Sequence, residues 1–63
     1  MMPDEMHEAL KELGWTQGAL AARLGVHRNT VGDWVRGHTE VPGYAVEYLR
    51  VVRLARRILD QVS

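Results

Sequence analysis

Apolar residues recur at helical intervals in four stretches of the chain. Met6, Ala9, Leu10 and Leu13 follow the i, i+3, i+4, i+7 spacing of one packed helix face. His7, Glu8, Lys11 and Glu12 fall outside it and read as a solvated surface. Pro3, Asp4 and Glu5 suit the start of this helix, because proline fits a first turn and acids there complement the helix dipole. Gly14 ends it. Leu20, Ala21 and Leu24 then share a face of a helix that begins near Gln17. Thr16 is placed to cap that helix, and Trp15 and Leu20 occupy the two positions of a hydrophobic staple. Gly25 follows at once, where a helix end favours positive φ.

A third helix runs from about Arg28 to Arg36. Advanced by about 100° per residue, Thr30, Val31, Trp34 and Val35 fall on one arc. Arg28, Asn29, Gly32, Asp33 and Arg36 fall on the other. The apolar arc must be packed inside. The polar arc carries groups able to read base edges and phosphates. Val26 and Val31 stand at staple spacing and fix the start of this helix. Gly37 can end it, and residues 38–43 read as a loop with Val41 dropping into the core. From Tyr44 to about Val62 neither proline nor glycine interrupts, so one long helix or two nearly continuous ones fit. One apolar stripe there comprises Ala45, Leu49, Val52, Leu59 and Val62, and a second comprises Tyr44, Tyr48, Val51, Leu54 and Ile58. Two stripes exceed what a small core needs. One is expected to pack on the first three helices. The other, through Tyr48, Val51, Leu54 and Ile58, is expected to meet a second copy of the chain; a single wide buried face is the competing account.

The segment QGALAARLGVHRNTVGDWVR, residues 17–36, therefore reads as two short helices joined by a tight turn. It resembles the helix-turn-helix of phage repressor and Cro-type DNA-binding proteins. The resemblance is carried by Gln17, Ala21, Leu24, Gly25, Val26, Val31 and Trp34, and with its flanks it spans most of the chain. It implies an all-α, lambda-repressor-like domain of four to five helices over residues 1–63. In that family small Ala21 lets the helices approach, Gly25 makes the turn, and Val26, Val31 and Trp34 form the buried seam.

The same resemblance implies roles on the outside. A recognition helix presents its N-terminal residues to base edges in the major groove. Arg28 and Asn29 stand there, suited to guanine and adenine respectively. Asp33, one turn on from Asn29, can accept from cytosine N4 or orient Arg36 or Asn29. Gly32 lies on the same face. Glycine costs ~1 kcal/mol there relative to alanine, so its presence points to close approach by a groove wall. The base-reading set is thus Arg28, Asn29, Gly32 and Asp33. The backbone set is Gln17, His27, Arg36, His38 and Thr39. Gln17 corresponds to a family residue that touches phosphate and braces the recognition helix. His27 replaces the serine cap common in the family and is a poorer cap. Arg36 reads as a phosphate clamp, and His38 and Thr39 lie in a loop that follows the DNA backbone in the family. Arg23 reads as a helix-dipole partner. Arg50, Arg53, Arg56 and Arg57 read mainly as a solvated rim.

Charge tempers this picture. The 63 residues carry no net charge. Residues 1–12 hold four acids and one base, whereas residues 13–63 hold seven arginines and four acids, which leaves +3. A basic face can stand beside an acidic one, but a monomer should bind DNA only weakly without a specific sequence. There is no cysteine, hence no disulfide framework or thiolate metal site. No apolar run approaches the ~18–20 residues of a membrane span, and the acidic start MMPDEMHE is the reverse of a secretory signal.

The expected function is a homodimeric, autoregulatory repressor that binds an inverted repeat of double-stranded promoter DNA in the cytoplasm of a bacterial cell or phage-infected host. The chain resembles phage and mobile-element autoregulators, and the run PGYAVEYL loosely resembles repressors encoded beside anti-CRISPR genes. The alternative is a protein-interaction module, such as an antitoxin or polymerase-binding partner, which zero net charge and the apolar C-terminal helix would suit. No cofactor, metal, membrane or small-molecule ligand is expected. Catalysis is not expected either, because His27, Asp33 and His38 lack the spacing of a metal or acid–base motif.

Overall fold

The structure, a computed structural model, describes residues 1–62, and these form four helices. They are α1 (Pro3–Leu13), α2 (Gln17–Leu24), α3 (Arg28–Arg36) and α4 (Gly43–Val62). The C-terminal segment is one continuous helix of 20 residues that begins at Gly43, one residue before the stretch without glycine. The Pro42 carbonyl accepts the amides of Ala45 and Val46, so the turn is already helical there.

Local chemistry sets the ends. Glu5 Oε1 accepts the Met2 amide at 3.1 Å, and Thr16 Oγ1 accepts the Ala19 amide at 3.0 Å. His27 also caps its helix, because its Nδ1 accepts the Asn29 amide at 3.1 Å. An imidazole can accept only at an unprotonated nitrogen, so the ring carries its hydrogen on Nε2. The helix-turn-helix turn depends on Gly25, which adopts φ 71° and ψ 30°. That left-handed conformation brings the Val26 amide to the Ala21 carbonyl at 3.0 Å and reverses the chain into α3.

The core is apolar throughout. Met6, Leu20, Val31 and Leu49 are its largest fully enclosed side chains, with Trp34 and Val35 of α3 against them. Leu13, Ala21 and Val41 complete its edges, and no polar or charged side chain is buried among the described residues. α3 packs on α2 and α1, and α4 rests mainly on α1. Burial of Val31 and Trp34 fixes the rotation of α3, and that rotation turns its polar arc outward.

α4 departs from the two-stripe expectation. Ala45 and Leu49 are buried and Val46, Tyr48 and Val52 half-buried, but every described residue beyond Arg53 is exposed. The first stripe thus packs only as far as Val52; Leu59 and Val62 are 68% and 81% exposed. In the second stripe Val51, Leu54 and Ile58 lie open at 53%, 50% and 52%. Tyr48 is different, being half-buried with its ring 6.3 Å from that of Trp15.

Three arginines read as a rim instead tie α4 to the end of α1. Arg53 and Arg57 donate to Glu12 Oε1 at 3.2 and 2.8 Å. Arg56 donates to the Leu13 carbonyl at 2.9 Å, one of the acceptors a helix leaves open at its C-terminus. The Glu12 carboxyl is held down to about 2 from the ordinary 4.5, chiefly by the hydrogen bonds from Arg53 and then Arg57. Arg23, expected as a dipole partner, lies over the Trp15 ring with its guanidinium carbon 4.1 Å from the centroid.

Candidate nucleic-acid interface

Two helix starts meet at one open groove. Its walls are Thr16, Gln17 and Gly18 from the beginning of α2 and Arg28, Asn29, Gly32 and Arg36 from the outer face of α3. The α2 start contributes backbone amides that the helix leaves without carbonyl partners, a natural seat for a phosphate. The α3 face contributes two guanidinium groups and a carboxamide. Thr16, whose hydroxyl is engaged by the Ala19 amide, holds the α2 start in shape. The His27 cap does the same for α3.

Gly32 is the floor of the groove. The sequence places it on the polar arc, where it lies, yet the residue is covered. A Cβ built there would stand 3.0 Å from Arg36 Nη1, 3.2 Å from Arg36 Nη2 and 3.2 Å from Gln17 Oε1. The guanidinium of Arg36 and the amide oxygen of Gln17 therefore both rest over the bare Cα. Arg36 reaches this point because a helical side chain leans toward the N-terminus and covers the turn before its own Cα.

Asp33 holds Arg36 in that pose. Its Oδ1 accepts from Arg36 Nη2 at 3.0 Å, and His38 Nδ1 lies 3.7 Å from the same oxygen. Both partners are more than half exposed, so these pairs orient more than they stabilise. The Asp33 backbone carbonyl also takes the amides of His38 and Thr39, at 2.9 and 3.4 Å. That leads the loop off the end of α3 with both side chains exposed.

Of the residues read as base contacts, Arg28, Asn29 and Gly32 are gathered in the groove, while Asp33 stands beside it with its carboxylate engaged by Arg36. Of those read as backbone contacts, Gln17 and Arg36 are in the groove. His27 stands at its edge as the α3 cap, and His38 and Thr39 follow the helix in the loop. Sequence reasoning missed Thr16 and Gly18 as groove walls. Thr16 was legible only as a cap, and a glycine in a first turn gives no signal until the facing helix is placed.

A family model for the helix-turn-helix matches residues 6–44, well over half of the chain. The chain belongs to the Cro/C1-type helix-turn-helix family. It is accordingly a DNA-binding transcription regulator with double-stranded DNA as its partner, and the lambda-repressor-like fold expected from the sequence is the one observed. The matched span covers most of α1, the whole motif and the loop that follows, and stops at the first turn of α4. The greater part of α4 thus lies outside what the family model describes. No curated protein and no solved structure matches the chain. No helix among the described residues is long and apolar enough to cross a membrane.

Proposed function

We propose that this helix-turn-helix protein is a homodimeric, autoregulatory repressor that reads an inverted repeat in a promoter. The observation that carries the reading is the groove in which Arg28, Asn29 and Gly32 share one open face with the start of α2. That face fits a major groove with the N-terminal half of α3 toward the base edges. Arg28 offers a bidentate pair to guanine O6 and N7, and Asn29 one to adenine N6 and N7. The α2 amides with Gln17 take a phosphate on one side. His27, through Nε2–H, and the His38–Thr39 loop follow the strand on the other.

Dimerisation through α4 is supported by Val51, Leu54 and Ile58, a row of exposed apolar residues on that helix. Two recognition helices about 34–36 Å apart would meet successive major grooves. Repression then follows from occupying the promoter and excluding polymerase, with the protein's own concentration as the signal. Such a device belongs in the bacterial or phage-infected cytoplasm. Its setting is that of phage and mobile-element regulators, among them those encoded beside anti-CRISPR genes. It needs no cofactor and performs no catalysis.

The exposed apolar half of α4 also favours a second reading, a module that binds another protein. Selection from random duplex DNA, run beside Arg28→Ala, separates the two. An enriched inverted repeat, lost in the variant, supports the repressor. No enriched motif, with only weak salt-sensitive binding, supports the module.

A further inference from the structure

We infer that Arg36 is a base-reading residue and that Asp33 is its positioning residue. This rests on the major-groove reading proposed above and reverses the roles that sequence position alone assigns to the pair. Arg36 occupies the last turn of α3, where a guanidinium ordinarily reaches sideways to a phosphate. Here it folds back by a full turn. Its two terminal nitrogens stand 3.0 and 3.2 Å from where a Cβ of Gly32 would be. They share that floor with Gln17 Oε1 and share the groove with Arg28 and Asn29.

Three features keep the guanidinium there. Gly32 lacks the side chain that would fill its place. Asp33 Oδ1 takes one hydrogen bond from Nη2 at 3.0 Å. The helix lean directs the stem toward the N-terminus. A guanidinium has five N–H donors in a rigid planar fork, so one bond to Asp33 orients the plane and leaves a bidentate edge for a base. The ligand chemistry is that of guanine, whose O6 and N7 match the fork. The Asp33 carboxylate, engaged through Oδ1, acts through Arg36 rather than on a cytosine.

The test compares Arg36→Lys, Arg36→Ala and Asp33→Asn with the wild-type chain in selection from random duplex DNA, with thermal melting of each. Lysine keeps the charge and loses the fork. The inference expects Arg36→Lys and Arg36→Ala to lose discrimination at the same base pair, by about 5- to 150-fold. Asp33→Asn should show a smaller loss at that pair, with all three variants still folded at the temperature of the selection. A motif that Arg36→Lys leaves intact at every position overturns the inference and makes Arg36 a phosphate clamp. So does a uniform loss across all sequences in Arg36→Ala. Loss of preference at a pair different from that affected by Asp33→Asn removes the positioning role. If the wild-type chain itself enriches no motif, the proposed function falls, and this inference with it.

Discussion

Replacing Gly32 by alanine should make the protein more stable and a poorer DNA binder. Alanine is favoured over glycine inside a helix by about 1 kcal/mol, mainly because it loses less backbone freedom on folding. The new methyl would meet Arg36 Nη1 at 3.0 Å, Nη2 at 3.2 Å and Gln17 Oε1 at 3.2 Å. These are the far ends of flexible side chains, not backbone. The Arg36 side chain is 54% exposed and can swing outward, at a cost of about 0–1 kcal/mol for a loosened surface pair. The net is a gain of roughly 0.5 kcal/mol, or a Tm higher by about 2–4 °C in a domain of this size. The displaced guanidinium and the added methyl both spoil the groove, and loss of one bidentate contact alone weakens binding by about tenfold or more. Thermal unfolding followed by circular dichroism and anisotropy titration of a selected duplex measure the two effects. A lower Tm would mean that Arg36 is locked over Gly32. A higher Tm with unchanged affinity would mean that nothing approaches this floor, refuting the reason given for a glycine on the outer face of α3.

Other consequences are equally direct. The Glu12 carboxyl has its pKa depressed to about 2 in the fold against 4.5 ordinarily. The unfolded chain therefore takes up this proton first as pH falls. The stability from its pairs with Arg53 and Arg57 is full above about 4.5 and is lost as pH drops toward about 2. Glu12→Gln should lower Tm near neutral pH and narrow its gap from the wild type over that window; a constant gap would show that the pairs contribute nothing. His27→Ala removes the α3 cap and should cost about 1 kcal/mol, largely restored by His27→Ser; equal melting of all three would mean the Asn29 amide needs no acceptor. Trp34→Ala should cost ~3–5 kcal/mol, enough to leave so small a domain largely unfolded, and a native circular dichroism spectrum with an unshifted melt would contradict its place in the seam.

The helices were legible because local signals agree. The period in Met6, Ala9, Leu10 and Leu13 names the buried face of α1, and all four are buried. Thr16 and Gly25 bracket α2 as cap and turn should. His27 shows the limit of residue type as a guide, since the poorer capping side chain caps nonetheless. What sequence could not show is tertiary. The partners of Glu12 lie 41 and 45 residues away, and nothing in either helix alone brings them together. The apolar stripes of α4 report which faces avoid water but not where the underlying helices end, so Leu59 and Val62 lie exposed beyond the core. Within the groove, the outer face of α3 follows from the position of Trp34. The pose of Arg36 does not, because it depends on how a long side chain folds back over a glycine and which oxygen holds it.

The most direct measurement of the central claim is a map of which residues sense DNA. Backbone amide shifts recorded by NMR during titration with a selected duplex would give it for a chain of this length. The largest changes should fall at Gln17, Gly18, Arg28, Asn29, Gly32 and Arg36, smaller ones at His38 and Thr39, and none on the outward face of α1 at His7 and Glu8. Changes concentrated on Leu54 and Ile58 of α4, with the α3 amides unmoved, would contradict it.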